Sequence, residues 1–124
     1  MKLRWADEAL QDLDYWHNTN TNIKVWKQVK ALIGQTQLEP YTGWGRPKVL
    51  QRDYEGWWSR LITDHDRLVY RVRGEGRTAV LEILQCRGHY TDDNDPKPRK
   101  MGTRALKQRR RKKFKYVITT SGEA

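Results

Sequence analysis

Apolar side chains recur along this chain in two rhythms. In 7–16, Ala9, Leu10, Leu13 and Trp16 fall three and four apart; in 23–35, Ile23, Trp26, Val29 and Ile33 lie near one helical face. That spacing lines one side of a helix, so two helices are predicted. Asp7 and Glu8 fall in the first turn of the earlier one, where the positive end of the helix dipole favours acids. The polar run H-N-T-N-T-N (17–22) marks the turn between them, and Leu38-Glu39-Pro40 ends the second. A connection this short makes the helices an antiparallel pair.

Elsewhere the rhythm is two. Segment 2–5 alternates, 48–51 begins a strand, and 57–62 reads as another. In 67–73, Leu68, Tyr70 and Val72 alternate with Arg67, Val69, Arg71 and Arg73, and 78–87 is a long run of Val, Leu and Ile character. T-D-H-D (63–66) is a tight polar turn, and Gly74-Glu75-Gly76 signals a further hairpin. Y-T-G-W-G-R-P (41–47) is a glycine-punctuated loop. The order is β-α-α-β-β-β-β. Short connections between strands imply antiparallel neighbours. The predicted fold is therefore α+β: a small antiparallel sheet with two N-terminal helices on one face.

At 124 residues the chain suits one domain with one modest core. Of its six tryptophans, Trp5, Trp16, Trp26 and Trp58 are expected to fill that core. Cys86 is the sole cysteine, which rules out an internal disulfide and fits a reducing compartment. The N-terminus lacks the apolar run of a signal peptide, and no stretch reaches membrane-spanning length. A soluble, cytoplasmic protein is expected, with no membrane partner.

Charge divides the chain. The formal net charge is +10, yet residues 97–115 hold eleven Lys or Arg and no acid, while residues 1–96 hold 14 basic and 14 acidic side chains. Overall basicity therefore says nothing about the folded part. The division expected is a domain over 1–90, then a polar linker and basic extension over 91–124, disordered in isolation because like charges repel.

Local clustering is more informative. Arg60 and Arg67 lie on the two strands of the 57–70 hairpin, and C-R-G-H-Y (86–90) follows on the next. Cleaving RNA without a metal needs a base for the 2′-hydroxyl, a cation for the phosphate and an acid for the departing 5′-oxygen. His89 could carry a proton either way. Arg67 could grip phosphate oxygens in a fork, and Tyr90 could stack on a base or donate a hydrogen bond. Lys48 could act as a base if neighbouring cations such as Arg46 favour its neutral form. Trp44 and Tyr41 could stack on bases or fill the core edge. Each residue has a plainer reading, as a solvated strand residue or an ion-pair partner, and the residues alone leave both open. No cluster has metal-ligand spacing, and no cofactor is called for.

Five blocks occur in order: K-L-x-W (2–5), D-Y-W (14–16), G-x-G-x-P (43–47), G-x-W-S-R-x-I-T-x-x-x-R-L-V-Y (56–70) and C-R-x-H-Y (86–90). By these the chain resembles, over residues 1–90, the YoeB/Txe toxins of the RelE/ParE superfamily. The resemblance implies a RelE/ParE-like fold and a ribosome-dependent endoribonuclease that cuts mRNA in the decoding site. It also implies a cognate antitoxin of the YefM/Axe type and a family in which dimers are common. Arg67 would steady the phosphate, His89 would serve as acid or base, and Tyr90 would help place the substrate. Arg46, Arg60 and Trp44 are candidate RNA contacts, with Arg60 also readable as structural. Two positions depart from the family: Lys48 stands where it has a catalytic glutamate, and Leu61 where it has a second active-site arginine. Two other readings therefore stay open. One is a homologue that binds RNA, ribosome or antitoxin without cutting; the other is a ParE-like gyrase inhibitor, which the C-R-G-H-Y ending disfavours.

Overall fold

The structure is a computed structural model that describes residues 1–18, 23–88 and 118–119. Strand β1 (Lys2–Trp5) leads into helices α1 (Asp7–Asn18) and α2 (Ile23–Leu38). Strands β2 (Lys48–Val49), β3 (Trp58–Leu61), β4 (Arg67–Arg73) and β5 (Val80–Gln85) follow, and β6 (Ile118–Thr119) comes from the C-terminal extension. The predicted 78–87 strand is shorter at both ends, at its start because 76–78 forms a 3-10 turn. The sheet order is β2-β3-β4-β5-β1-β6.

The α+β reading with both helices on one face holds, but the sheet is mixed rather than wholly antiparallel. β2 to β5 form an antiparallel meander, whereas β1 pairs with β5 in parallel. Short turns force antiparallel neighbours only between consecutive strands. β1 is followed by two helices, so no turn constrains its partner. Likewise the extension does not lie wholly outside the fold, since Ile118 and Thr119 pair antiparallel with Arg4 and Leu3 of β1.

Alternation sorts the side chains into two faces. One presents Leu3, Trp5, Leu68, Tyr70, Leu81 and Ile83, and α1 and α2 cover it with Ala9, Leu13, Val29, Leu32 and Ile33. The opposite face has its own small core: Leu50, Tyr54 and Trp57, from the connection between β2 and β3, pack on Val69, Leu84 and Ala6. Trp5 fills the main core as expected, whereas Trp16, Trp26 and Trp58 sit half-buried at its edge. Trp57 is fully buried in the second core.

α1 is fixed to the end of β5 by polar contacts. Asp12, fully buried, accepts the Cys86 N–H at 3.1 Å, and Trp16 Nε1 donates to the Cys86 carbonyl at 2.7 Å. The Cys86 thiol lies 3.7 Å from the Ala9 carbonyl. Burial pushes that thiol well above its usual range, and the nearby Asp12 carboxylate adds to the effect.

Candidate functional site

The 41–47 loop reaches the sheet through left-handed backbone. Gly43, Gly45 and Arg46 have φ of 103°, 79° and 52°. Gly45 accepts the Leu61 N–H at 2.7 Å, and a Cβ there would lie 3.0 Å from the Leu61 carbonyl oxygen, so the close approach requires glycine. Arg46 holds such a conformation with a side chain, at a cost of roughly 1 kcal/mol.

Arg60 secures this loop. By register it faces the helices, opposite Leu68, and it is fully buried. Its Nη2 donates to the Glu39 carbonyl and, at 2.8 Å, to that of Thr42. Nη1 donates to the Gln35 side-chain oxygen and, at 3.0 Å, to the Trp44 carbonyl; Nε donates to the Tyr70 hydroxyl at 3.1 Å. Tyr70 in turn donates to the Pro40 carbonyl at 2.6 Å. One guanidinium thus ties the end of α2, where the helix dipole is negative, to the glycine loop. Arg60 is thus fully buried, with its fork spent inside the fold.

Arg67 faces the other way. It is 8% exposed, and its Nη1 donates to the carbonyls of Thr63, Asp64 and Asp66 at 2.9, 3.2 and 3.1 Å. Nε and Nη2 make no hydrogen bond to a described residue. The turn that holds it is itself pinned: Thr63 Oγ1 donates to Asp66 Oδ2 at 2.7 Å and accepts the N–H groups of His65 and Asp66. Asp66 Oδ1 accepts the Gly88 N–H at 2.8 Å, and the Arg67 N–H donates to the Gly88 carbonyl at 3.0 Å. Gln85 Nε2 reaches the same carbonyl at 3.3 Å.

Register places Lys48 beside Ser59, Ser59 beside Val69, and Leu61 beside Arg67, all on the face away from the helices. Lys48 and Arg67 are two strands and two residues apart, roughly 12 Å between Cα atoms. The sheet therefore brings these two cations to one side, with Leu61 next to Arg67. Arg46 is exposed, and Trp44 is 63% exposed beside a groove lined by Gln28, Leu32, Leu61 and Ile62. Trp44 does not fill the core. Tyr41 instead packs on Trp58, 4.8 Å between ring centroids. His89 and Tyr90 lie outside the described residues, which end there at Gly88. Asp66, which fixes Gly88, is marked in the sequence by a Thr and an Asp three apart in a polar turn.

A family model described as "YoeB-like toxin of bacterial type II toxin-antitoxin system" matches residues 5–90. Toxin YoeB of Escherichia coli (strain K12) is 40% identical over 90 residues, 73% of this chain and 100% of its own length. A solved YoeB/ParE toxin from Agrobacterium tumefaciens superposes with a TM-score of 0.68 at 39% identity, covering 73% of this chain and 100% of that one. A YoeB-YefM complex from Staphylococcus aureus gives 0.61 at 27% identity, covering 71% and 95%, and a YoeB dimer from that organism gives 0.60 at 26%, with the same coverage. The chain belongs to the YoeB-like toxins of bacterial type II toxin–antitoxin systems.

Proposed function

We propose that this toxin is a ribosome-dependent endoribonuclease that cuts mRNA by acid–base transesterification. The single observation that carries the reading is Arg67: a guanidinium held at one nitrogen by three turn carbonyls, on the same sheet face as Lys48. A cation fixed before substrate arrives stabilises developing phosphate charge without reorganising. In the proposed step the 2′-oxygen attacks the adjacent phosphorus as a base, Lys48 or His89, takes its proton. The bond to the 5′-oxygen breaks, and His89 protonates that oxygen, with its own proton when Lys48 is the base or by returning the proton it took when His89 is the base. The products are a 2′,3′-cyclic phosphate and a free 5′-hydroxyl. Arg67 binds the phosphate oxygens throughout, Tyr90 places the substrate, and Trp44 and Arg46 contact flanking RNA.

The partners proposed are mRNA on the ribosome, in the cytoplasm, and a YefM-like antitoxin, by analogy with the Staphylococcus aureus complex; the dimer from that organism supports a homodimer. Primer extension on ribosome-bound message tests the reading. New 5′ ends are expected with the wild-type protein and a loss of at least about 100-fold with Arg67→Ala. Bound toxin with no new ends overturns it.

That last outcome would favour a second reading, a toxin homologue that binds without cutting. It is motivated by Lys48, which puts no carboxylate at the family's glutamate position on the face of Ser59, Leu61 and Arg67.

A further inference from the structure

The face that carries Arg67 continues well beyond it. Along β4, Arg67, Arg71 and Arg73 share that face, because two and four residues separate them. Arg71 lies beside Glu82 of β5 and Glu82 beside Arg4 of β1; Arg73, Val80 and Lys2 form the next row. The far end of the face therefore presents Lys2, Arg4, Arg71 and Arg73 around the Glu82 carboxylate.

Their geometry is built rather than incidental. Glu82 is 3% exposed and holds both neighbours, Arg71 Nε at 2.6 Å and Arg4 Nη1 at 3.3 Å. Arg71 also lies 4.2 Å above the buried Trp57 ring. The two guanidiniums are thus oriented on either side of the Glu82 carboxylate. Lys2 and Arg73 flank them, both exposed. The patch starts roughly 13 Å along β4 from Arg67, with the Leu50–Tyr54–Trp57 core between.

From this we infer a second anion site: the Lys2, Arg4, Arg71 and Arg73 patch binds the phosphodiester backbone of RNA, remote from the cleavage position. The inference rests on RNA being this toxin's ligand. The patch offers no apolar centre of the kind a protein interface buries, since its rows hold cations, Glu82 and Val80. Nucleic-acid interfaces are the polar, strongly positive ones. Guanidiniums also suit phosphate geometry. In sequence, the run 97–115 of eleven Lys and Arg leads directly to β6, whose Ile118 pairs with Arg4.

The test is binding of the full chain to a fluorescent oligouridylate of about 20 nucleotides across a salt series. Lys2→Gln/Arg73→Gln changes two exposed side chains outside the Glu82 pairs. It should reduce the slope of log K against log salt by about 1.4, and weaken binding roughly tenfold at 0.15 M salt. Arg67→Ala should lower that slope by about 0.7, one phosphate contact, while removing cleavage. An unchanged slope and affinity in the double variant overturns the site. So does equal, competing and equally variant-sensitive binding of polyglutamate, which would make the patch a surface for acidic protein. Patch-dependent binding with no cleavage of ribosome-bound message would sink the nuclease reading alone. Cleavage with patch-independent binding would sink the site alone.

Discussion

The Asp66 carboxylate accepts the Gly88 backbone N–H at 2.8 Å, across 22 residues of sequence. With the Arg67 N–H on the Gly88 carbonyl, this joins the β3–β4 turn to the residue before His89. The turn that aims the Arg67 guanidinium thus also fixes Gly88. Asp66→Ala should strand the Gly88 N–H and the Thr63 hydroxyl, costing about 1–3 kcal/mol in urea unfolding. Asp66→Asn keeps an acceptor and should recover most of that stability.

Arg60 gives a different signature. Replacing it with methionine leaves the Glu39, Thr42 and Trp44 carbonyls without their donor inside the fold. A loss of about 3–5 kcal/mol is expected in the denaturant midpoint. Arg60→Lys should recover only a fraction, because one ammonium cannot span five acceptors spread over α2, the loop and Tyr70. An RNA-binding role predicts the reverse: near-normal stability with weakened RNA binding.

The departures at Lys48 and Leu61 can be reversed. Lys48 keeps its place beside Ser59, and Leu61 its place beside Arg67, so Lys48→Glu puts a carboxylate and Leu61→Arg a guanidinium on the proposed reacting face. The double variant should cleave ribosome-bound message at least about tenfold faster in primer extension. No gain would mean that Lys48 already serves as well as glutamate, or that chemistry does not limit the rate.

Cys86 and Tyr70 make stability fall in alkali. Burial raises both groups in the native state, with Arg60 pulling Tyr70 partly back. Each is therefore protonated in the fold at a pH where the unfolded chain has begun to ionise. The native state then binds more protons, and stability decreases as pH rises. For Cys86 the decline begins near the ordinary thiol value, about 8.5, and continues up to its raised native value. Urea midpoints between pH 7 and 10 should drop accordingly, and Cys86→Ala should flatten the first part of the drop. Iodoacetamide should label Cys86 at pH 8 only as urea unfolds the chain.

The periodicity of the chain determined by itself that there are two helices and that a strand meander follows. The reason is local: spacing of apolar side chains, acids in the first turn of α1, and glycines where the backbone must turn left-handed. The motif blocks also made Arg67 legible as a candidate. What no local rule decided was which strand face meets the helices. W-W-S-R-L carries apolar and polar residues on both faces, because Trp57 packs on one side of the sheet and Trp58 on the other. Only packing sent Arg60 inward to hold the loop and Arg67 outward onto the face of Lys48. Packing also set β1 parallel beside β5 and gathered Lys2, Arg4, Arg71 and Arg73, residues 2 to 73, into one patch. Such contacts join residues far apart in sequence, and they exist only once two helices have claimed one face of the sheet.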